Sequence, residues 1–138
     1  MALKEGYSYV CGIISNIINE LLVFGGIILT VEEMKEYRLQ YNKVMVEADS
    51  FFAEFGKLDD KVYADGAISK KHKELMGLAI SLATRCNECI LYHLEGCLNA
   101  KANFSEIVEA IKIGVIAGGS ITYPNARFAF DKLQELMA

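Results

Sequence analysis

Proline is nearly missing from this sequence: Pro124 is the one proline in 138 residues. Helix-breaking punctuation is therefore sparse, and the valines and isoleucines fall mostly in helical spacing. Both features favour a helix bundle over a sheet. There is no long basic run and the formal charge is -4, so no electrostatic footprint for nucleic acid is expected. No stretch rich in proline, glycine or serine divides the chain, and no low-complexity segment interrupts it. A single domain is expected at this length. A charged start, an apolar stretch and a small-residue cleavage site do not occur in the order of a secretory signal, which predicts a cytoplasmic, reducing setting. In such a setting a close cysteine pair serves catalysis or metal binding more often than it serves as a staple.

Apolar side chains are plentiful. Hydrophobic residues make up 53% and charged residues 23%, enough for a real core. That apolar share is high for so small a domain and implies surface buried between subunits. The most apolar stretch, YSYVCGIISNIINELLVFGGIILTV from Tyr7 to Val31, has the length of a membrane span, for which ~20 residues suffice. Asn16, Asn19 and Glu20 stand in its middle, however, and an acid at the bilayer centre costs roughly 3 kcal/mol. A helix packed on the domain or between subunits is the expectation, with residues 1–33 as a leader and 34–138 as the functional domain.

Thr30-Val31-Glu32-Glu33 has the pattern of a capping box. A long helix is predicted from about 31 to 55, carrying Met34, Leu39, Val44, Met45, Phe51, Phe52 and Phe55, with Gly56 as its stop. Lys57 to Gly66 reads as a polar connector. A second helix begins near Ser69 and places Leu75, Leu78, Ala79 and Leu82 inward. A tight turn at Thr84-Arg85-Cys86-Asn87 leads into a third helix from about Cys86 to Ala100. Asn103 and Glu106 suggest a capped fourth helix that Gly118 and Gly119 loosen, and Pro124 suits the first turn of the last. The hairpins 67–100 and 103–137 are expected to form one compact core.

Four cysteines occur, Cys11, Cys86, Cys89 and Cys97. Cys86-Asn87-Glu88-Cys89 is a Cys-x-x-Cys pair at the predicted start of a helix. Unpaired amides and the macrodipole there favour a thiolate, and the spacing brings both sulfurs to one face, near enough to bond. His93, four residues after Cys89, falls in the same stripe and can take a thiol proton and return it. Helix-end exposure favours Cys86 as the attacking sulfur, whereas adjacency to His93 favours Cys89. Buried cysteines and a packed histidine are the bland alternative. Zinc is the chemical one, since Cys86, Cys89, His93 and Cys97 form a permissible ligand set. On one helix, however, Cys86 and Cys97 lie roughly 16 Å apart at ~1.5 Å per residue, so one ion cannot collect both. Cys97 then reads as a small apolar packer, and no metal or cofactor is expected.

The pattern Glu74, eleven residues, Cys86, two residues, Cys89, three residues, His93 resembles the motif of the carboxymuconolactone decarboxylase family, in its alkylhydroperoxidase D-like branch. The similarity continues through Phe104-Ser105-Glu106-Ile107-Val108-Glu109-Ala110 and the Gly118-Gly119 pair. It implies an all-α fold, a trimeric or hexameric homo-oligomer, and reduction of a hydroperoxide or disulfide substrate through the cysteine pair. An external dithiol or a peroxiredoxin partner would supply electrons, and Glu74 with His93 would relay protons to the thiols. Without the resemblance Glu74 reads as a solvated helix residue. One position departs from the motif: Glu88 stands where the branch carries a histidine, and an acid there raises thiol pKa. Two rivals stand beside this reading: a lyase acting on a muconolactone-type acid, the activity that names the family, and a non-catalytic binding or redox-sensing oligomer.

Overall fold

In the computed structural model, which describes residues 29–138, Thr30 caps the first helix as its neighbours dictate. Its Oγ1 accepts the Glu33 amide at 3.2 Å while Glu33 Oε2 accepts the Thr30 amide at 2.8 Å. Helix α1 then runs over Val31–Ala48. The apolar leader falls outside the described residues up to residue 28, and with it the choice between a packed helix and a span. No helix among the described residues is long and apolar enough to cross a membrane.

The expected single helix from 31 to 55 is two helices. Asp49 adopts an extended backbone (φ -155°, ψ 135°) and its Oδ1 accepts the Phe51 amide at 2.8 Å. That side chain offers the backbone a cap in place of a continuing helix, the competition for which aspartate is suited. Helix α2 starts there and covers Ser50–Tyr63, so the expected polar connector is largely helical and Gly56 lies inside a helix. A mid-helix glycine costs only ~1 kcal/mol relative to alanine and does not by itself end a helix.

Helix α3 spans Lys70–Ala83, α4 Asn87–Asn99 and α5 Phe104–Gly118. A 3₁₀ turn at Ser120–Thr122 and helix α6, Tyr123–Met137, complete an all-helical fold with no strand among the described residues. Asn103 and Glu106 close the reciprocal cap expected for α5, and Pro124 stands in the first turn of α6. At Gly119, which ends α5, φ is 78°, a conformation open to glycine at no steric cost.

The core is built by the two hairpins. Leu78 and Leu82 of α3, Ile90, Leu94 and Cys97 of α4, Ile107 and Ile111 of α5, and Ala129 and Leu133 of α6 form one buried cluster. Each large apolar side chain removed from water contributes about 1.5–3 kcal/mol. Where α3 meets α5 the backbones nearly touch: a Cβ on Gly114 would lie 2.4 Å from Leu82 Cβ and 2.7 Å from the Ala79 carbonyl oxygen.

Helices α1 and α2 attach differently. Lys132 of α6 is buried, with Nζ donating to the Leu29 carbonyl at 2.7 Å and to Glu135 at 3.1 Å, while Glu135 accepts the Val31 amide at 2.7 Å. Arg38 and Lys35 of α1 both reach Glu95 of α4. Helix α2 buries none of its residues, and Leu39, Phe51, Phe55, Leu58 and Val62 on α1 and α2 are exposed.

Gly114→Ala inserts a methyl group against backbone that cannot retreat. It is expected to lower stability by about 1–3 kcal/mol in urea unfolding, the cost of overpacking exceeding alanine's better helix propensity.

Candidate active site

Helix α3 ends where Thr84 Oγ1 turns back to the Ile80 carbonyl at 2.9 Å. Arg85 then takes a left-handed conformation (φ 60°), and the Cys86 amide donates to the Ser81 carbonyl at 3.0 Å. The chain reverses within this turn, and Cys86 becomes the N-cap of α4 with its Sγ accepting the Cys89 amide at 3.2 Å. A sulfur therefore occupies the position usually held by a capping oxygen, where amide donors and the helix dipole favour negative charge. Cys86 and Cys89 are joined in a disulfide. From α6, Asn125 Nδ2 donates to Asn87 Oδ1 at 2.7 Å, tying the last helix to the residue after Cys86.

The exposures of the two sulfur-bearing residues invert the expectation from helix position: Cys89 is exposed and Cys86 is partly buried. The N-cap sulfur folds back over the first turn towards the amide it accepts, while Cys89 faces outward. Glu88 is exposed in the same first turn. Cys97, two turns beyond Cys89, is fully enclosed in the core, and burial pushes its thiol up to about 12, with Glu74 and Glu106 adding to the shift. Among the described residues no group of three or more His, Cys, Asp or Glu side chains is arranged to hold a metal ion.

Glu74 of α3 and His93 of α4 meet inside the hairpin. Glu74 is 5% and His93 9% exposed, and Nδ1 of the imidazole lies 2.9 Å from Glu74 Oε2. The helices make room for the pair reciprocally. A Cβ on Gly77, one turn after Glu74, would stand 2.4 Å from His93 Cε1; a Cβ on Gly96, one turn after His93, would stand 2.3 Å from Glu74 Oε2. Each polar side chain thus lies over a glycine of the opposing helix, and each rotamer is held by backbone. At the other nitrogen, the Tyr63 hydroxyl of α2 is 3.5 Å from Nε2, and the two rings are tilted with centroids 5.2 Å apart. Tyr92 meets the imidazole edge-on at the same centroid separation of 5.2 Å. Neither sulfur is a hydrogen-bond partner of the ring among the described residues; Cys89 precedes His93 by one helical turn, a spacing that puts the two side chains side by side.

Four residues of this surround were not singled out in the sequence. Gly77 and Gly96 follow Glu74 and His93 at the same three-residue offset, a signal that was present but needed the pairing of the helices to be read. Tyr63 falls within the expected polar connector, and Tyr92 stands between Leu91 and His93 with no motif of its own. Together the side chains form a disulfide at a helix start with a buried imidazole one turn inward, hydrogen-bonded to Glu74 and approached by the Tyr63 hydroxyl. Such an arrangement can exchange electrons at the sulfurs and hold a proton at the ring.

Comparison with known proteins fits this geometry. Residues 49–132 match the carboxymuconolactone decarboxylase family, and the chain belongs to it. A carboxymuconolactone decarboxylase family protein of Thermotoga maritima, for which a part in the antioxidative response has been suggested, is 39% identical, with a TM-score of 0.71 over 75% of this chain and 89% of its own. A family member from Legionella pneumophila is 28% identical with a TM-score of 0.69, covering 76% of this chain and 94% of that one. Among curated sequences, uncharacterized protein 4 of the cox locus in Paracoccus denitrificans is 33% identical over 88 residues, 64% of this chain and 76% of that protein.

Three measurements probe the packing of the hairpin, of α2 and around Cys97. Gly96→Ala drives a methyl group into the Glu74 carboxyl and is expected to cost about 1–3 kcal/mol. Gly56→Ala, where a Cβ meets nothing within 4 Å, is expected to stabilise by about 0.4–1 kcal/mol. The Cys97 thiol keeps its proton to about 12 when folded, whereas an unfolded thiol loses it near ~8.5. Above that pH the unfolded state binds fewer protons, so stability of the oxidised protein falls as pH rises, by up to ~1.4 kcal/mol per unit. Urea unfolding between pH 8 and 10 should show a slope that Cys97→Ala reduces.

Proposed function

We propose that this protein is a thiol–disulfide oxidoreductase of the alkylhydroperoxidase D-like branch, reducing hydroperoxides or partner disulfides through Cys86 and Cys89. The observation that carries the reading is the bonded pair at the start of α4, one turn from an imidazole that a buried carboxylate orients. A staple would need no such base, and the suggested antioxidative role of the Thermotoga relative agrees with the same chemistry.

In the reduced protein His93 takes the proton of Cys89, the more exposed sulfur, with Glu74 stabilising the imidazolium. The Cys89 thiolate attacks the terminal oxygen of a hydroperoxide. The O–O bond breaks, the alkoxide leaves and takes a proton from His93, and Cys89 becomes a sulfenic acid. Cys86, whose thiolate is favoured by the Cys89 amide and the helix dipole, gives its proton to the now neutral His93 and attacks that sulfur; the leaving hydroxide takes the proton from the ring and departs as water. Two electrons have passed from the dithiol to the peroxide, giving an alcohol, water and the disulfide. With a disulfide substrate the same attack yields a mixed disulfide, which Cys86 resolves. An external dithiol returns the enzyme to its reduced form.

The assembly completing this protein is a second set of its own copies. Ile80 on α3, Ile113 and Ile116 on α5, and Phe51 and Phe55 on α2 are all large apolar side chains left exposed. Burying them against other subunits would remove that apolar area from water. A trimer or hexamer is the proposed state.

Cys86→Ser is expected to accumulate a mixed disulfide or sulfenic acid on Cys89, detectable by mass mapping, while Cys89→Ser forms neither. Glu74→Gln should slow thiol-dependent turnover by about 10²-fold or more. Full turnover after alkylation of both cysteines would sink the redox reading and favour a lyase.

A further inference from the structure

An imidazole accepts a proton through one nitrogen only, and its surroundings choose which. Nδ1 of His93 faces Glu74 Oε2 at 2.9 Å. An ionised carboxylate only accepts hydrogen bonds, so Nδ1 carries the hydrogen and Nε2 is left with the lone pair. The group facing that lone pair is the Tyr63 hydroxyl at 3.5 Å, long for a hydrogen bond but within the range that tightens during a reaction.

The tyrosine is itself held. Lys73 Nζ donates to the carbonyl of Val62 at 2.7 Å and to that of Ala64 at 2.6 Å, the residues on either side of Tyr63. These carbonyls lie at the C-terminal end of α2, where backbone acceptors are unpaired and the dipole favours a cation. Because α2 buries no residue of its own, this clamp is a principal tie between α2 and the site. The clamping lysine immediately precedes Glu74, so adjacent residues of α3 hold both partners of the imidazole.

We propose that Tyr63 is a positioning residue of the proton relay, its hydroxyl holding Nε2 of His93 as the proton-accepting nitrogen while Lys73 holds the tyrosine. The inference rests on the thiol–disulfide reading and adds to it the group that prepares the base. A hydroxyl both donates and accepts. Tyr63 gives its hydrogen bond to the neutral ring and turns to accept one from Nε2–H once the ring has taken the thiol proton. Burial, with Asp59 and Glu74 nearby, raises the phenol above its ordinary value, so it remains a hydroxyl through the cycle. The charged and titratable groups facing the ring and the two tyrosines that flank it are Glu74 of α3, Asp59 and Asp60 of α2, and Arg38 of α1, with Lys73 of α3 on the carbonyl before Tyr63.

The bond accepted from the protonated ring is charge-assisted and the stronger of the two, so loss of the hydroxyl should lower the pH at which His93 titrates. The chain has two histidines, His72 and His93, and ¹⁵N-histidine NMR of the reduced full-length protein resolves them with a His72→Gln variant for assignment. The native protein is expected to show Nε2 bare and Nδ1 protonated. Tyr63→Phe, which keeps the ring, should move the His93 titration downward by about 0.5–1 pH unit and lower thiol turnover by roughly three- to tenfold. The acid limb of the pH–rate profile should move down by the same amount. Lys73→Met should shift His93 in the same direction, whereas Tyr123→Phe, at an exposed site, should shift nothing. A protonated Nε2 in the native protein, or an unmoved titration in Tyr63→Phe, overturns the inference even where the dithiol turns over. An absence of thiol turnover with the NMR shift intact would instead defeat the redox reading and leave the tyrosine's hold on the ring standing.

Discussion

A carboxylate and an imidazole share the interior of the α3–α4 hairpin, and the hydrogen bond between Glu74 and His93 constrains everything around it. Placing a carboxylate away from water costs several kcal/mol before its hydrogen bond to the imidazole offsets it. Residues of similar volume and apolar surface would fill the space at less cost, so the pair is poor evidence for stability and better evidence for a task. Its geometry also fixes helix register. With Glu74 over Gly96 and His93 over Gly77, a one-residue slide of either helix would bring a side chain where backbone now leaves room.

The same helix shows how environment, not residue type, decides what a cysteine does. Cys86 accepts an amide at the helix start, Cys89 faces solvent, and Cys97 is sealed in the core with its thiol raised to about 12. Thiolate chemistry needs access and a stabilising field; Cys97 has neither. The proposed redox reaction therefore belongs to the first turn of α4, and the rest of the helix serves to bring His93 beneath it.

Helices α1 and α2 belong to the molecule by polar clips more than by burial. Lys132 and Glu135 grip the start of α1, Arg38 and Lys35 reach Glu95, and Lys73 grips the end of α2. Such attachments hold direction well but leave apolar faces such as Phe51, Phe55 and Leu58 open to solvent. Tyr63 sits at the point where this loosely buried part touches the imidazole, so the site depends on a segment whose own packing is slight.

Local chemistry alone determined much of this protein. The caps at Thr30 and Asn103, the turn at Thr84–Asn87, the inward stripe of α3 and the helical setting of Cys86, Cys89 and His93 all follow from interactions a few residues long. The similarity to a known family added Glu74, which composition and spacing alone would have left in solvent. What the sequence could not decide lies across helices. The break at Asp49 pits a strong helical rhythm against a single capping side chain, and rhythm gave the wrong answer because a cap acts over two residues while a period is read over many. Which sulfur faces out, why Gly77 and Gly96 are glycines, and that Tyr63 meets His93 are questions of the distance between chain segments 3 to 30 residues apart. Only the packed hairpin, with α2 clamped against it, sets those distances.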